Sequence, residues 1–332
     1  IFLIIGTLIV MNQMNYVKNR NLGFDKEQVL VLRTQDESLA GKYDAFKTEL
    51  LKNPNISQVA ASTNIPGARL FNDQGIIREG MSNDDFVQMF NFSIDEDFIP
   101  LLGIELAAGR NYSKDFPSDR EEGIVINETA VKKFGWSSPD EAVGKRLLQP
   151  TSFDKYRKRT ILGVVKDFHF KSLHQEIEPL MFFLNPKSIS FITVKLKTGD
   201  MSSTMAHIRE KWNHFSPAYT FEYFFFDRHF DKLYRSEERM HTLFRFFTVL
   251  AIFISCLGLF GLASFTIQQR TKEVGIRKVL GASVGNVILH LSKEFVFWVA
   301  LANIIAWPAA YYFMSKWLQN FAFRTSLSIG VF

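Results

Sequence analysis

The chain has 332 residues, a formal net charge of +5 and one cysteine, Cys256, so a disulfide within it is excluded. Cations outside residues 270–278 are scattered, with no basic and aromatic stripe to suggest a nucleic-acid partner. Hydrophobic residues make up 47%, 34 of them Phe, yet 22% are charged, which excludes both a wholly soluble and a wholly lipid-embedded chain.

In chain order, residues 1–11 read as the outer half of a membrane span, because about 11 apolar residues reach only half of a ~30 Å hydrocarbon core. The sequence is expected to be a fragment: it opens without Met inside an apolar segment and ends at Ser328-Ile329-Gly330-Val331-Phe332, where a further apolar run is expected to begin. Residues 12–27 read as a stalk helix leaving the membrane and stopping near Gly23, or as a plain linker.

Residues 28–32 are strand-like, and Leu39, Tyr43, Phe46 and Leu50 follow at spacings of four, three and four, one face of a helix. Residues 56–62 supply a second strand before the Ile65-Pro66-Gly67 turn. The same grammar returns later. Ile192, Val194 and Leu196 alternate with Thr193, Lys195 and Lys197, Met201, Met205, Ile208 and Trp212 repeat the helical spacing, and residues 219–225 close the unit as a strand. Two matched β-α-β units so far apart suggest one ferredoxin-like α+β subdomain, residues 28–66 and 190–226, interrupted by an inserted lobe over 67–189. Within the lobe, strands are predicted over 84–94, 123–127 and 160–165, and helices over 97–102 and 128–134. Phe226, Phe230, Leu233 and Tyr234 then form an apolar stripe on a charged helix over 227–241. It is either the second helix of a stalk or a surface helix with solvated charges.

Residues 242–267 read as a second span, its core uncharged from 246 onward, and residues 284–315 as a third. Between them, residues 268–283 carry Arg270, Lys272, Arg277 and Lys278 against Glu273, which makes this loop cytoplasmic and the 28–241 domain extracytoplasmic. Residues 316–332 lie outside again. The loop predicts a short helix, with Thr271 as N-cap, Glu273 in the first turn, Arg277 and Lys278 late, and Gly281 as terminator. Ile276, Val279 and Leu280 share one face at i, i+3 and i+4. So short a helix is marginal alone, and either lipid or a cytoplasmic protein must cover that face.

Catalytic patterns are weak. Asp167, His169, His174, Glu176 and Glu178 gather enough ligands for a metal but fit no established spacing, and their surroundings read as strand, turn and strand. A phosphate loop at Gly144-Lys145-Arg146 fails because Pro139 occupies the required glycine position and no Ser or Thr follows the lysine. No G-x-S-x-G elbow occurs. Catalytic, metal and cofactor residues are therefore expected to be none.

The stretch Gln269-Arg270-Thr271-Lys272-Glu273-Val274-Gly275-Ile276-Arg277-Lys278-Val279-Leu280-Gly281-Ala282-Ser283 resembles the signature loop of FtsX/MacB-like ABC-transporter permeases, with Val274 in place of the usual Ile. Residues 102–110, 125–130 and 164–174 are similar to stretches of the MacB-like periplasmic core domain. The resemblance implies four spans, the fourth beyond this sequence, and a non-catalytic membrane subunit that couples ATP hydrolysis to movement of its outer domain as an exporter or mechanotransmitter. ATP would be bound by a cytoplasmic ABC ATPase, fused or separate, docked through Glu273, Ile276, Arg277, Lys278, Val279 and Leu280. It further implies a homo- or heterodimer of permeases in a bacterial inner membrane, a periplasmic adaptor or substrate, and possible duplication to eight spans. The rival reading is a membrane-anchored sensor that binds a ligand outside and signals inward, for which a cytoplasmic loop of about 16 residues is too short to hold an output domain.

Overall fold

The computed structural model describes residues 2–19, 21–68, 72–82, 85–152, 155–185, 188–232, 235–281, 283–319 and 321–325. They form two compact units, Asn21–Leu233 and the pair of segments Ile1–Arg20 and Tyr234–Phe332. Helix α1 (Phe2–Asn19) opens the chain, followed by β1 (Val29–Arg33), α2 (Glu37–Leu51) and β2 (Ile56–Ser62). Next come β3 (Asp73–Arg78), β4 (Phe86–Ile94), α3 (Phe98–Leu101), β5 (Leu106–Gly109), α4 (Asp119–Glu122), β6 (Gly123–Asn127), α5 (Glu128–Lys133), α6 (Pro139–Ala142), β7 (Arg146–Ser152), β8 (Lys155–Val165) and β9 (Leu180–Leu184). The chain continues with β10 (Phe191–Leu196), α7 (Met201–Phe215), β11 (Glu222–Phe225), α8 (Phe226–Lys232), α9 (Arg235–Gln269), α10 (Thr271–Val279) and α11 (Val284–Leu318).

In the 21–233 unit, β10 lies between β1 and β2 and is antiparallel to both, with Val31 opposite Thr193 and Val59 opposite Val194. β11 pairs with the other edge of β1, so the four strands stand in the order β11-β1-β10-β2. The segments expected at 28–32 and 192–196 are thus direct neighbours. One face of these strands is covered by α2 and α7: Leu39, Tyr43, Phe46 and Leu50 meet Ile208 and Trp212 over Leu30, Leu32, Val59, Ile192 and Val194. Met201 departs from the expected stripe and is exposed, because it is the first helical residue after the N-cap Asp200.

Asp36 fixes the start of α2. Its carboxylate accepts from the Ser38 amide at 2.9 Å and the Ser38 hydroxyl at 2.6 Å, and its other oxygen takes the hydroxyl proton of Ser216 at 2.6 Å, at the end of α7. Deeper along α2, the buried Lys47 ammonium donates to Asp95 at 2.8 Å and Asp97 at 2.5 Å, while Tyr43 donates to Asp95 at 2.6 Å. Burial pulls Lys47 down, but the two carboxylates outweigh it and raise the ammonium above its usual value.

The remaining strands continue from β2 through a Ser62–Ile94 contact with β4. From there β4, β3, β7, β8, β6 and β9 pair in sequence, and β9 pairs back in parallel onto β4, so these six strands close into a circuit. Ile76, Met89, Ile124, Ile126, Leu147, Ile161, Val164 and Met181 come from all six and form one apolar cluster, so this face is the inside. At one mouth α5 contributes Ala130 and Val131, with Phe134 and Trp136 beyond it. Strands β3, β5, β7 and β9 were not expected, and β8 is longer than the predicted 160–165. Their sequences lack clean alternation: β9 reads Leu-Met-Phe-Phe-Leu because it is buried on both faces.

The helix expected over 12–27 ends at Asn19. Asn21 Oδ1 accepts from the Gly23 amide at 2.9 Å, and Gly23 is left-handed with φ 80° and Phe168 Cβ 2.7 Å from where its own Cβ would stand, so residues 21–27 turn instead. Of the stripe expected on 227–241, Phe226 is buried, while the side chains of Phe230, Leu233 and Tyr234 lie outside the described residues, as do residues 326–332.

In the other unit α1 packs on α9 and α11. Ile5 and Ile9 bury against Ala310 and Leu318, and Gly6 faces Met314. Thr7 and Thr248 hydroxyls lie 2.7 Å apart beside the Leu3 carbonyl. The fully buried Gln13 amide donates to Phe323 O and accepts from Thr325 N, both at 2.8 Å, which returns residues 321–325 onto α1.

Asp36→Ala should destabilise the protein by about 1–2 kcal/mol, the usual cost of losing an N-cap. Burial raises this carboxyl, but hydrogen bonds from Ser216 and Ser38 outweigh it and hold its pKa below the usual carboxylate value. The ionised form therefore contributes above the unfolded carboxylate pKa of about 3.9, and the contribution is lost as pH falls through the lower folded value. Urea midpoints at pH 7 and pH 3 check this, with a smaller wild-type advantage at pH 3.

Candidate functional site

Among the described residues two helices are long and apolar enough to cross a membrane, over Thr242–Gln269 and Val296–Leu318. α9 carries the first within a continuous 35-residue helix, so the expected boundary between charged helix and span at 241–242 is not a break. α11 carries the second and runs to Leu318, beyond the expected 315, with Pro308 tolerated inside it. Side chains on both are exposed along their length, including Phe246, Phe253, Phe260, Trp298 and Ile305. Cys256 is among them.

A single residue, Arg270, separates α9 from α10. It occupies the N-cap position with no side-chain cap, which corrects the expectation for Thr271. Thr271 is already helical, and its hydroxyl turns back to the Ile267 and Gln268 carbonyls at 3.0 and 2.9 Å. The reason is geometric: with no linker before it, the Thr271 side chain reaches the last turn of α9 before any forward amide. At the other end Leu280 is the C-cap, its amide donating to Ile276 O at 3.0 Å, and Gly281 follows at φ 90°. Ser283 caps α11, accepting from Asn286 N at 3.3 Å. The two helix ends are thus tied within four residues.

Ile276, Val279 and Leu280 are 62, 90 and 80% exposed, and α10 buries no residue. The expected apolar face exists and is bare in this chain. Glu273 and Arg277 join across one turn at 2.7 Å, an exposed pair worth about 0.3–0.5 kcal/mol. Gly275 stands one turn before Val279, with nothing within 4 Å of where a Cβ would be. It leaves a notch beside the most exposed side chain of the helix. All six residues expected to form the site therefore sit on or immediately beside one short helix, Leu280 at its cap.

The alternative cluster dissolves. The segment between β8 and β9, residues 166–179, carries no strand, and Asp167 in it accepts from Thr129 N at 2.8 Å, Thr129 Oγ1 at 2.9 Å and Asn127 Nδ2 at 3.0 Å. His169 is buried, and Glu178 pairs with Lys171. Among the described residues no group of His, Cys, Asp and Glu is arranged to hold a metal ion. Sequence reasoning missed Gln13, which stands among Asn12, Met14 and Asn15 just past the apolar run of α1 and carries no local signal that sets it apart.

The family model described as MacB-like periplasmic core domain matches residues 1–211, and that described as FtsX-like permease C-terminal matches residues 245–332. The chain is 24% identical over 229 residues to a macrolide export ATP-binding/permease protein MacB from Aggregatibacter actinomycetemcomitans, covering 65% of this chain and 34% of that one. A protein of the same name from Neisseria meningitidis is 23% identical over 229 residues, covering 64% and 34%. The chain thus spans about a third of the length of the curated relatives it matches. Among solved structures, the periplasmic region of MacB from Actinobacillus actinomycetemcomitans aligns with a TM-score of 0.43 at 16% identity, covering 64% of this chain and 94% of that one. The extracellular domain of the noncanonic ABC-type transporter YknZ from Gram-positive bacteria aligns at 0.40 and 13%, covering 59% and 96%.

Gly281→Ala should strain the left-handed turn by about 1 kcal/mol and loosen the α10–α11 connection, read as faster amide hydrogen exchange over residues 279–283. Thr271→Ala should leave exchange in α10 unchanged, since that hydroxyl caps no α10 amide.

Proposed function

We propose, because the chain belongs to the FtsX/MacB-like ABC-transporter permease family, that it is the non-catalytic membrane subunit of an ABC exporter or mechanotransmitter. ATP is bound and hydrolysed by a cytoplasmic ABC ATPase, and no cofactor belongs to this chain. The relatives' names join ATP-binding and permease functions, and two thirds of their length lies outside the match, so the ATPase is either fused or separate.

One observation carries the coupling role: three aliphatic side chains at 62–90% exposure, two on a nine-residue helix and one at its C-cap, between two membrane-length helices. Ile276, Val279 and Leu280 enter a groove of the ATPase, and the open notch at Gly275 lets its surface approach closely. Glu273, Arg277 and Lys278 set the polar contacts around them. Arg270, Lys272, Arg277 and Lys278 against Glu273 hold the loop in the cytoplasm. The 21–233 unit is then periplasmic in a bacterial inner-membrane protein of several spans, working as a homo- or heterodimer with a periplasmic adaptor or substrate.

For the outer unit, the β11-β1-β10-β2 order with α2 and α7 on one face supports a ferredoxin-like porter subdomain. The six-strand circuit between β2 and β10 is the inserted lobe. ATP-driven movement of α9 and α11 is transmitted to this domain.

Burying each aliphatic side chain is worth roughly 1.5–3 kcal/mol before association costs. Val279→Asp and Leu280→Asp should each weaken ATPase docking more than tenfold, since about 1.4 kcal/mol is a factor of ten. Co-purification with the full-length permease and permease-stimulated ATP hydrolysis measure this, with Lys197→Asp as the control. Variants that insert normally yet retain both would remove α10 as the coupling element and favour a sensor. Topology is checked separately in a Cys256→Ser background. Lys272→Cys should resist a membrane-impermeant maleimide in spheroplasts, and Ser118→Cys should react; the reverse pattern inverts the membrane orientation.

A further inference from the structure

The face lining the six-strand circuit changes character over one register step on five of its strands. Ile76 gives way to Gln74 on β3, Met89 to Asn91 and Ser93 on β4, and Leu147 to Gln149 on β7. On β8 Ile161 gives way to Arg159 and Arg157, and on β9 Met181 and Phe183 lead to Asn185 just beyond the strand. Neighbouring strands pair so that these polar residues all fall at the same mouth, opposite the one occupied by α5. They surround a cavity of about 400 Å³ into which α4 also brings Arg120 and Glu121. Mouths of barrels are recurrent ligand sites, and this volume suits a small molecule.

The charges there are unbalanced. Arg159 is 6% exposed, and no ion pair within 4 Å joins it, Arg157 or Arg120 to a carboxylate among the described residues. Arg159 donates from Nε to Gln149 Oε1 at 3.0 Å and from one terminal nitrogen to the carbonyls of Glu121 at 2.5 Å and Arg120 at 3.3 Å. Its guanidinium lies 5.0 Å from the Phe183 ring centre. Those contacts fix its position but supply no negative charge, and a buried cation without one is costly. Burial, with the like charge of Arg157, pulls the guanidinium below its usual value. In the same cavity Gln74 Nε2 is buried with no acceptor among the described residues. A donor-rich cavity with three guanidiniums and one carboxylate matches an oxyanion, which arginine binds through paired N–H groups.

We propose that this mouth is a binding site for a small phosphate-bearing ligand, with Arg159 and Arg157 on its oxygens and Gln74, Asn91 and Asn185 around the rest. The site belongs to residues 74–185 alone, so it stands or falls independently of the coupling role of α10. The test is isothermal titration of the detergent-purified full chain with inorganic phosphate and with glycerol 3-phosphate at constant ionic strength. Saturable binding is expected, equal for both probes if the ligand is free phosphate and tighter for the ester if it is esterified. Arg157→Gln, which removes an exposed side chain, should weaken binding about tenfold. Gln74→Glu should abolish it by placing a second carboxylate in the cavity that Arg159 lines, with an unchanged or higher thermal midpoint that separates this loss from misfolding. Lys158→Gln removes the same charge from the opposite face of β8 and should bind as wild type. Absence of saturable binding to either probe, or equal losses in Arg157→Gln and Lys158→Gln, would overturn the proposal.

Discussion

Backbone pairing of β10 between β1 and β2 is the interaction on which the 21–233 unit depends. It joins segments at opposite ends of that unit's sequence, and β2 and the six-strand circuit reach β1 only through it. Loop-closure entropy grows slowly with length, so the long excursion between β2 and β10 costs little more than a short one. What offsets the cost is the shared apolar layer. Phe46 and Trp212, from helices on either side of the excursion, meet over the same strands with ring centres 6.3 Å apart.

Polar groups in that layer are held by local partners. Lys47 sits against Asp95 and Asp97, and removing either side would strand a buried charge at a cost of about 3–5 kcal/mol. Asp36 joins the first turn of α2 to the end of α7, so one carboxylate serves two helices on either side of the excursion. At the Trp136 mouth of the six-strand circuit Arg78 donates to Phe134 O and lies over the Trp136 ring, while the buried Trp136 indole N–H meets no acceptor among the described residues. At the opposite mouth the unmatched groups are Arg159, which has no carboxylate within ion-pair distance among the described residues, and the Gln74 amide nitrogen.

The helical unit has a different economy. Its long helices expose aliphatic and aromatic side chains over most of their length, and its few internal polar contacts, at Thr7, Thr248 and Gln13, are fully paired. An unpaired amide in an apolar surrounding costs several kcal/mol, which explains why Gln13 is matched on both its oxygen and its nitrogen. α10 inverts the pattern, since it is too short to be stable by propensity and keeps its apolar side chains uncovered.

Much was legible in the sequence because the relevant signals are local. The four, three, four spacing at Leu39 to Leu50 reports a helical face directly, the uncharged run from Phe246 to Ile267 reports membrane-scale length, and the Glu273 to Gly281 pattern reports a short capped helix. Caps were less legible: Thr271 and the 21–27 turn depend on where the previous element ends, which a neighbouring side chain such as Phe168 decides. The strands of the circuit were least so, because β7 and β9 lack a period-two pattern that marks a half-buried strand. The sequence by itself determined the two matched β-α-β segments, the membrane-length helices and the basic loop, all properties of contiguous residues. Only the tertiary structure decided that six strands close on one another and that Gln74, Arg157 and Arg159 meet at one mouth, because strand register sums contributions from residues far apart along the chain.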